Sequence, residues 1–107
     1  MNTDDYKKDP LRYVLNLAYR QASDPDKKGM QRHGDEKPFR EQISSIITRL
    51  AGLGFPLGQA LKKHDESKRL SIRTMAVNEL LGAINYLAIA IINLIDEGGK
   101  QNIPERE

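Results

Sequence analysis

The segment from Leu70 to Asp96 constrains the fold of this chain more than any other stretch. It is cationic at its start, and from Leu80 to Ile95 it is an almost continuous series of Leu, Ala and Ile. Four residues interrupt that series: Gly82, Asn85, Tyr86 and Asn93. A helix that is apolar on every side leaves no face for water and needs partners all round it. Because the rest of a 107-residue chain would cover only part of that surface, the pattern predicts burial in a homo-oligomeric core.

Length, cysteine content and charge limit the classes of protein to which the chain can belong. A chain of 107 residues predicts one domain, near the lower size limit for a self-sufficient core. The absence of Cys excludes disulfides and thiolate metal sites, and we expect a cytoplasmic protein. The apolar run is shorter than the roughly 20 residues that span a bilayer, so we expect no membrane contact. A net charge of +2 is too small for binding DNA or RNA by bulk electrostatics, and any anion site must be local.

The spacing of apolar residues predicts an all-α fold with three helices and no strand. The first helix is expected over about 10–22, beginning at Pro10. The second is expected over about 39–64 with a kink at Gly52, Gly54 and Pro56, and the third over about 70–97. The second and third helices should form an antiparallel hairpin. Residues 1–9 and 98–107 are polar and expected to be disordered, and residues 23–38 should form a long loop.

Cations are concentrated around the turn between the second and third predicted helices. The six possible cations are Lys62, Lys63, His64, Lys68, Arg69 and Arg73. An antiparallel hairpin would bring them to one end of the molecule, where Arg and Lys could hold phosphate oxygens. The alternative is a solvated turn in which Lys62 and Lys63 favourably end a helix dipole.

A second basic group lies in the predicted loop. Arg32 and His33 stand between Gly29 and Gly34, where the backbone could approach a ligand and the two side chains could contact a phosphate or a base. Tyr13, on the helix that leads into this loop, is a candidate for stacking on a base. The alternatives are a simple connector for the loop and core packing for Tyr13. Neither histidine has ligand spacing, so the sequence predicts no metal site and no cofactor.

Two asparagines lie within the apolar helix. Asn85 and Asn93 are about 80° apart on a helix, broadly on one side. A buried Asn is costly unless it is paired. We therefore expect these two residues to fix the register of an oligomeric contact.

The run from Glu79 to Leu87 resembles a helix motif of the MazG-like all-α nucleotide pyrophosphohydrolases, in which a Glu, three residues before an Asp, ligates magnesium. Gly82 stands at the position of that Asp, and no Glu-Glu-x-x-Glu run precedes it. Most oxygen ligands of such a metal ion would be missing. The resemblance implies an enzyme alternative, a degenerate pyrophosphohydrolase that depends on Glu79.

Residues from Gly58 to about Ile91 resemble the hairpin domain of phage anti-CBASS and anti-Thoeris cyclic-nucleotide sponges. The resemblance rests on the order of a helix, a polar turn, the run from Ser67 to Ile72, and an apolar helix. That family usually carries an Arg at the turn, where Lys68 or Arg69 stands, and a Thr two turns later, where Met75 stands beside Thr74. The resemblance implies small subunits that assemble into oligomers and hold cyclic nucleotides without cleaving them.

The leading hypothesis from the sequence is therefore non-catalytic sequestration of a nucleotide signal by an oligomeric, phage-type helical protein. The residues expected to bind the ligand are Lys62, Lys63, Lys68, Arg69, Arg73, Arg32, His33 and Tyr13. A protein-interaction or inhibitor subunit is the alternative from a different class, and it would depend on apolar surface positions rather than on these cations.

Overall fold

The computed structural model describes residues 3–23 and 38–105, and every regular element within those two ranges is helical. The α-helices there are α1 (Thr3–Lys8), α2 (Pro10–Ser23), α3 (Ile43–Ala51), α4 (Gly54–Arg69) and α5 (Arg73–Gly98). Short 3-10 helices precede α3, at Phe39–Glu41, and follow α5, at Gly99–Asn102. The predicted all-α fold is confirmed for this part of the chain.

The predicted count of three helices is wrong, because the expected second helix is two helices. Gly52 has a φ of 93°, in a region that side-chain-bearing residues rarely adopt, and its N–H donates to the carbonyl of Thr48 at 2.8 Å to end α3. Pro56 lies in the first turn of α4, where its missing N–H costs nothing. The break at Gly52 is therefore a helix end rather than a kink.

The polar turn expected after His64 is instead the last part of α4. Ion pairs four residues apart join Lys62 to Glu66 at 3.8 Å and Asp65 to Arg69 at 2.6 Å. Such pairs lie on one helix face and favour the helical conformation. The connection from α4 to α5 is accordingly only three residues long, Leu70 to Ile72.

The amino-terminal segment also differs from its prediction, because Thr3–Lys8 is a helix rather than disordered. Acidic residues in the first turn and Lys7 and Lys8 in the last turn suit the helix dipole. The ring of Tyr6 meets Tyr13 of α2 edge-on, with centroids 5.6 Å apart. The predicted loop lies outside the described residues except at its borders, where Ser23 ends α2 and Pro38 precedes a 3-10 helix.

The centre of the molecule is the pairing of α4 with α5. Contacts join Lys63 to Glu79 near the connection and Phe55 to Tyr86 further along, so the two helices run in opposite directions. The buried cluster between them consists of Ala60, Tyr86 and Ile89. Burial of such side chains is the main favourable term in folding.

The remaining elements pack on the two ends of α5. On the first half of α5, hydrogen bonds from Gln21 and Asn85 join α2 to α5. Near the other end, the guanidinium of Arg40 donates two hydrogen bonds to Asp96, at 2.9 and 3.0 Å. That hydrogen bonding lowers the pKa of the Asp96 carboxyl below its ordinary value. The amide of Gln42 donates to the carbonyl of Ala22 at 2.9 Å and so joins the start of α3 to the end of α2.

One face of α5 is left uncovered within the single chain. By length and composition α5 is long and apolar enough to cross a membrane, and 28% of its most apolar window is buried. It is the one such helix in the described ranges. The large aliphatic side chains that it leaves exposed are Val77, Leu80, Leu87, Ile91 and Leu94.

Replacing Gly82 with Ala is expected to raise the free energy of unfolding by about 0.5–1 kcal/mol, because Gly is a poor helix former. A methyl group at this buried position would lie 3.5 Å from Cδ of Lys63 and 3.8 Å from Oε1 of Gln21, which are ordinary van der Waals contacts. Urea denaturation followed by circular dichroism measures the change. A loss of stability would show that these neighbours do not accept the methyl group.

Candidate functional site

A groove of about 400 Å³ lies between α2 and α5. Its lining residues are Leu17, Arg20, Gln21, Arg73, Thr74, Val77, Asn78 and Leu81. The lining combines the aliphatic residues Leu17, Val77 and Leu81 with two arginines. Arg20 belongs to the last turn of α2, and Arg73 is the first residue of α5. The groove is therefore suited to a molecule with an apolar body and a negative charge.

The wall of this groove is held by hydrogen bonds between α2 and α5. The amide of Gln21, a buried residue, donates to the carbonyl of Asn78 at 3.1 Å. The amide of Asn85 donates to the carbonyl of Ala18 at 2.9 Å and to Oε1 of Gln21 at 3.1 Å. These bonds fix the two helices against each other, and they satisfy buried polar groups that would otherwise be costly.

Asn85 therefore acts within the chain, and the expectation that it fixes the register of an oligomeric contact is wrong. Asn93, the other asparagine of this expectation, donates to Glu97 on its own helix at 3.1 Å in an exposed position. The two asparagines contact different parts of the molecule because α2 covers only the first half of α5.

Lys63 lies inside the helical packing rather than at the surface of the turn. Its ammonium is 3.0 Å from a carboxylate oxygen of Glu79, and the two side chains are only 11% and 15% exposed. Its methylene groups pack beside Gly82. A paired and buried ammonium is poorly placed to serve the predicted phosphate clamp at the turn.

The other cations of the predicted clamp are dispersed. Lys62 and Arg69 each form an ion pair with a carboxylate of α4 itself, and Lys68 is exposed. His64 lines a different, apolar groove on the outer side of α4 and α5. Of the clamp residues, Arg73 alone lines the groove between α2 and α5, and it forms no ion pair with any residue in the described ranges.

The remaining sequence candidates lie elsewhere. Tyr13 borders a separate hollow of about 300 Å³ between α1 and α2, where its ring packs against Tyr6. Arg32 and His33 fall outside the described residues. Their predicted contact with a ligand stays a prediction.

Of the groove residues, the sequence reasoning identified only Arg73, and it missed four other polar ones: Arg20, Gln21, Thr74 and Asn78. Only Gln21 carries a usable signal, because it follows Leu17 by four residues and Ala18 by three and so shares the apolar face of the first helix. A polar residue on such a face is expected to have a partner when buried. Arg20 and Arg73 are 53 residues apart in sequence and meet the same groove only through the packing of α2 on α5.

The described residues contain no group of side chains that could bind a metal ion. Within residues 3–23 and 38–105, no three His, Asp or Glu side chains gather where they could hold a metal ion. Glu79, the residue that the pyrophosphohydrolase resemblance would make a magnesium ligand, is paired with Lys63. In comparisons with protein-family models, curated proteins and solved structures, the chain has no match.

Proposed function

We propose that the groove between α2 and α5 binds a small anion of nucleotide type and holds it without cleaving it. The observation that carries this proposal is that two arginines, Arg20 and Arg73, both line one largely apolar groove of about 400 Å³. Ligand sites are commonly clefts of about 300–1,000 Å³ with a few convergent polar groups. Arg provides charge-assisted hydrogen bonds in a fork that matches phosphate oxygens.

The groove residues divide into three roles in this proposal. Arg20 and Arg73 bind the phosphate, while Leu17, Val77 and Leu81 contact the apolar face of a base or ribose. The exposed side chains of Thr74 and Asn78 are available for hydrogen bonds that orient the ligand. Gln21 is committed to Asn78 and Asn85, so its role is to hold the wall of the groove. Arg32 and His33, which follow α2 in the sequence, remain predicted additional contacts.

The proposed site lies at the side of α5, whereas the sequence predicts a site at the tip of the hairpin. It keeps Arg73 and the nucleotide class of ligand, and it does not require Lys62, Lys63, Lys68 or Arg69. It agrees with the sponge-like hypothesis in having binding without cleavage. The cytoplasmic location and the phage origin are parts of the same hypothesis and stay predictions.

Native mass spectrometry tests the proposal. The protein is measured as purified from cells, then again after denaturation, removal of small molecules, refolding and incubation with a panel of linear and cyclic nucleotides. The expected result is a nucleotide-sized mass adduct in the first sample or its acquisition from the panel in the second. A protein that stays bare in both samples contradicts the proposal and favours the interaction-subunit alternative.

A further inference from the structure

Six large aliphatic residues recur along α5 at alternating spacings of three and four. They are Val77, Leu80, Ile84, Leu87, Ile91 and Leu94. Ile84 is half-buried and the other five are between 43% and 57% exposed, so all six lie on the uncovered face of the helix. This spacing is the heptad repeat of a coiled coil, and the six residues are referred to below as the α5 seam.

The order of residue types along the α5 seam is specific. Val77, Ile84 and Ile91 occupy one heptad position, called a, and every one of them is branched at Cβ. The other position, called d, is Leu each time, at residues 80, 87 and 94. In parallel coiled coils, β-branched residues at a with Leu at d favour two strands over three or four.

The seam is distinct from the part of α5 that packs within the chain. The buried residues of α5 are Leu81, Gly82, Tyr86, Ile89 and Ala90, and none of them belongs to the α5 seam. Ala88 lies at a heptad position beside the seam, and its small side chain allows a second helix to approach closely. Folding of the single chain thus leaves the α5 seam without a covering element in the described structure.

Apolar side chains of α4 extend this face. Leu57 and Leu61 are exposed, and they line, together with Leu80 and Leu87, an apolar groove of about 660 Å³ between α4 and α5. The seam itself contains no charged residue, so two identical faces would meet without electrostatic repulsion.

We infer that two copies of this chain associate through their α5 seams, with the two α5 helices parallel and in register. The seam is about 27 Å long at 1.5 Å per residue, and α4 and α5 together are about 20 Å wide. Contact over that face would bury on the order of 1,000 Å² in total, which reaches the size of a specific interface. The inference is independent of the proposed ligand, since Val77 alone belongs to both the seam and the groove between α2 and α5.

Analytical ultracentrifugation of the whole chain tests the association. The expected mass is twice 12.1 kDa for the wild type and 12.1 kDa for Leu87→Asp, which places a charge in the middle of the seam. The matched control is Leu50→Asp on α3, since Leu50 is 84% exposed and outside the seam, and it should keep the doubled mass. Circular dichroism establishes that each variant is folded.

A wild-type mass of one chain, or of more than two, overturns the inference. So does a doubled mass that persists in folded Leu87→Asp. A wild type that is a single chain in solution and floats with phosphatidylcholine vesicles would assign the apolar face to lipid instead. If Leu87→Asp does not fold, Leu87→Ala at dilution provides the readout, and its dimer is expected to dissociate at least tenfold more readily than that of the wild type.

Disulfide cross-linking tests the direction of the two helices. The natural chain contains no Cys, so a single introduced Cys gives no background cross-link. Ile91→Cys lies towards one end of the seam, and parallel, in-register helices bring it next to its own copy. Antiparallel helices that overlap along the whole seam would instead place it opposite Leu80. Oxidation should convert this variant to a covalent dimer. A non-covalent dimer that does not cross-link at this position contradicts the parallel arrangement.

Discussion

Replacing Lys63 with Ala is expected to lower the free energy of unfolding by about 3–5 kcal/mol, the usual effect of breaking a buried ion pair by removing one partner. The Glu79 carboxylate would lose an ammonium 3.0 Å away while remaining largely buried. Urea denaturation of the wild type and the variant, followed by circular dichroism, gives the difference in free energy. Truncation also removes the methylene groups of Lys63 that pack beside Gly82, which adds to the loss.

Lys62→Ala is the matched control, because Lys62 is the preceding residue and its side chain is 66% exposed. Its ion pair with Glu66 is solvated, so this change should cost about 0.5 kcal/mol or less. The double variant Lys63→Met, Glu79→Leu should recover most of the stability lost in Lys63→Ala, because it removes both buried charges. Equal effects of Lys62→Ala and Lys63→Ala would contradict the burial of Lys63.

The second large effect is expected for Asn85→Ala, which should lower the free energy of unfolding by about 2 kcal/mol. The change removes two hydrogen bonds that join α5 to α2, one to the carbonyl of Ala18 and one to Oε1 of Gln21. Buried acceptors that lose a donor typically cost about 1–3 kcal/mol. Urea denaturation measures the loss of stability. Faster amide hydrogen exchange in α2 would show that the loss comes from weaker attachment of α2 to α5.

Asn93→Ala provides the comparison for this prediction, since Asn93 lies on the same helix and donates only to Glu97 in an exposed hydrogen bond. We expect it to change the free energy of unfolding by less than about 0.5 kcal/mol, as is usual at exposed positions. If Asn93→Ala lowers the free energy of unfolding as much as Asn85→Ala, the hydrogen bonds from Asn85 to α2 are not the cause of the larger expected effect.

The sequence predicted the helical class and the extent of the longest helix because both depend on local information. Apolar periodicity defined α2 to within one residue, and the apolar run defined α5. Gly52 and Pro56 signalled an interruption, but the positive φ that turns it into a helix end depends on how α3 and α4 pack. The ion pairs that extend α4 to Arg69 join residues four apart, in a segment whose polar composition by itself predicts a turn.

The candidate site could not be predicted to the same extent, because it depends on which face of each helix is turned inward. Lys62 and Lys63 are neighbours in sequence, yet the rotation of about 100° between successive helix residues leaves one in solvent and buries the other. The groove is formed by residues of α2 and α5 that are far apart in the chain. Periodicity within one helix contains no information on that pairing.

Isothermal titration calorimetry with a panel of linear and cyclic nucleotides, comparing wild type, Arg73→Ala and Lys68→Ala, tests whether the groove between α2 and α5 binds a nucleotide. Arg73 lines the groove between α2 and α5, whereas Lys68 is an exposed cation of the predicted turn that does not line it. We expect the wild type to bind and Lys68→Ala to bind equally well. Arg73→Ala should bind at least about tenfold more weakly, as expected for the loss of one charge-assisted hydrogen bond. No heat with any nucleotide, or an equal loss in both variants, would contradict the proposed binding.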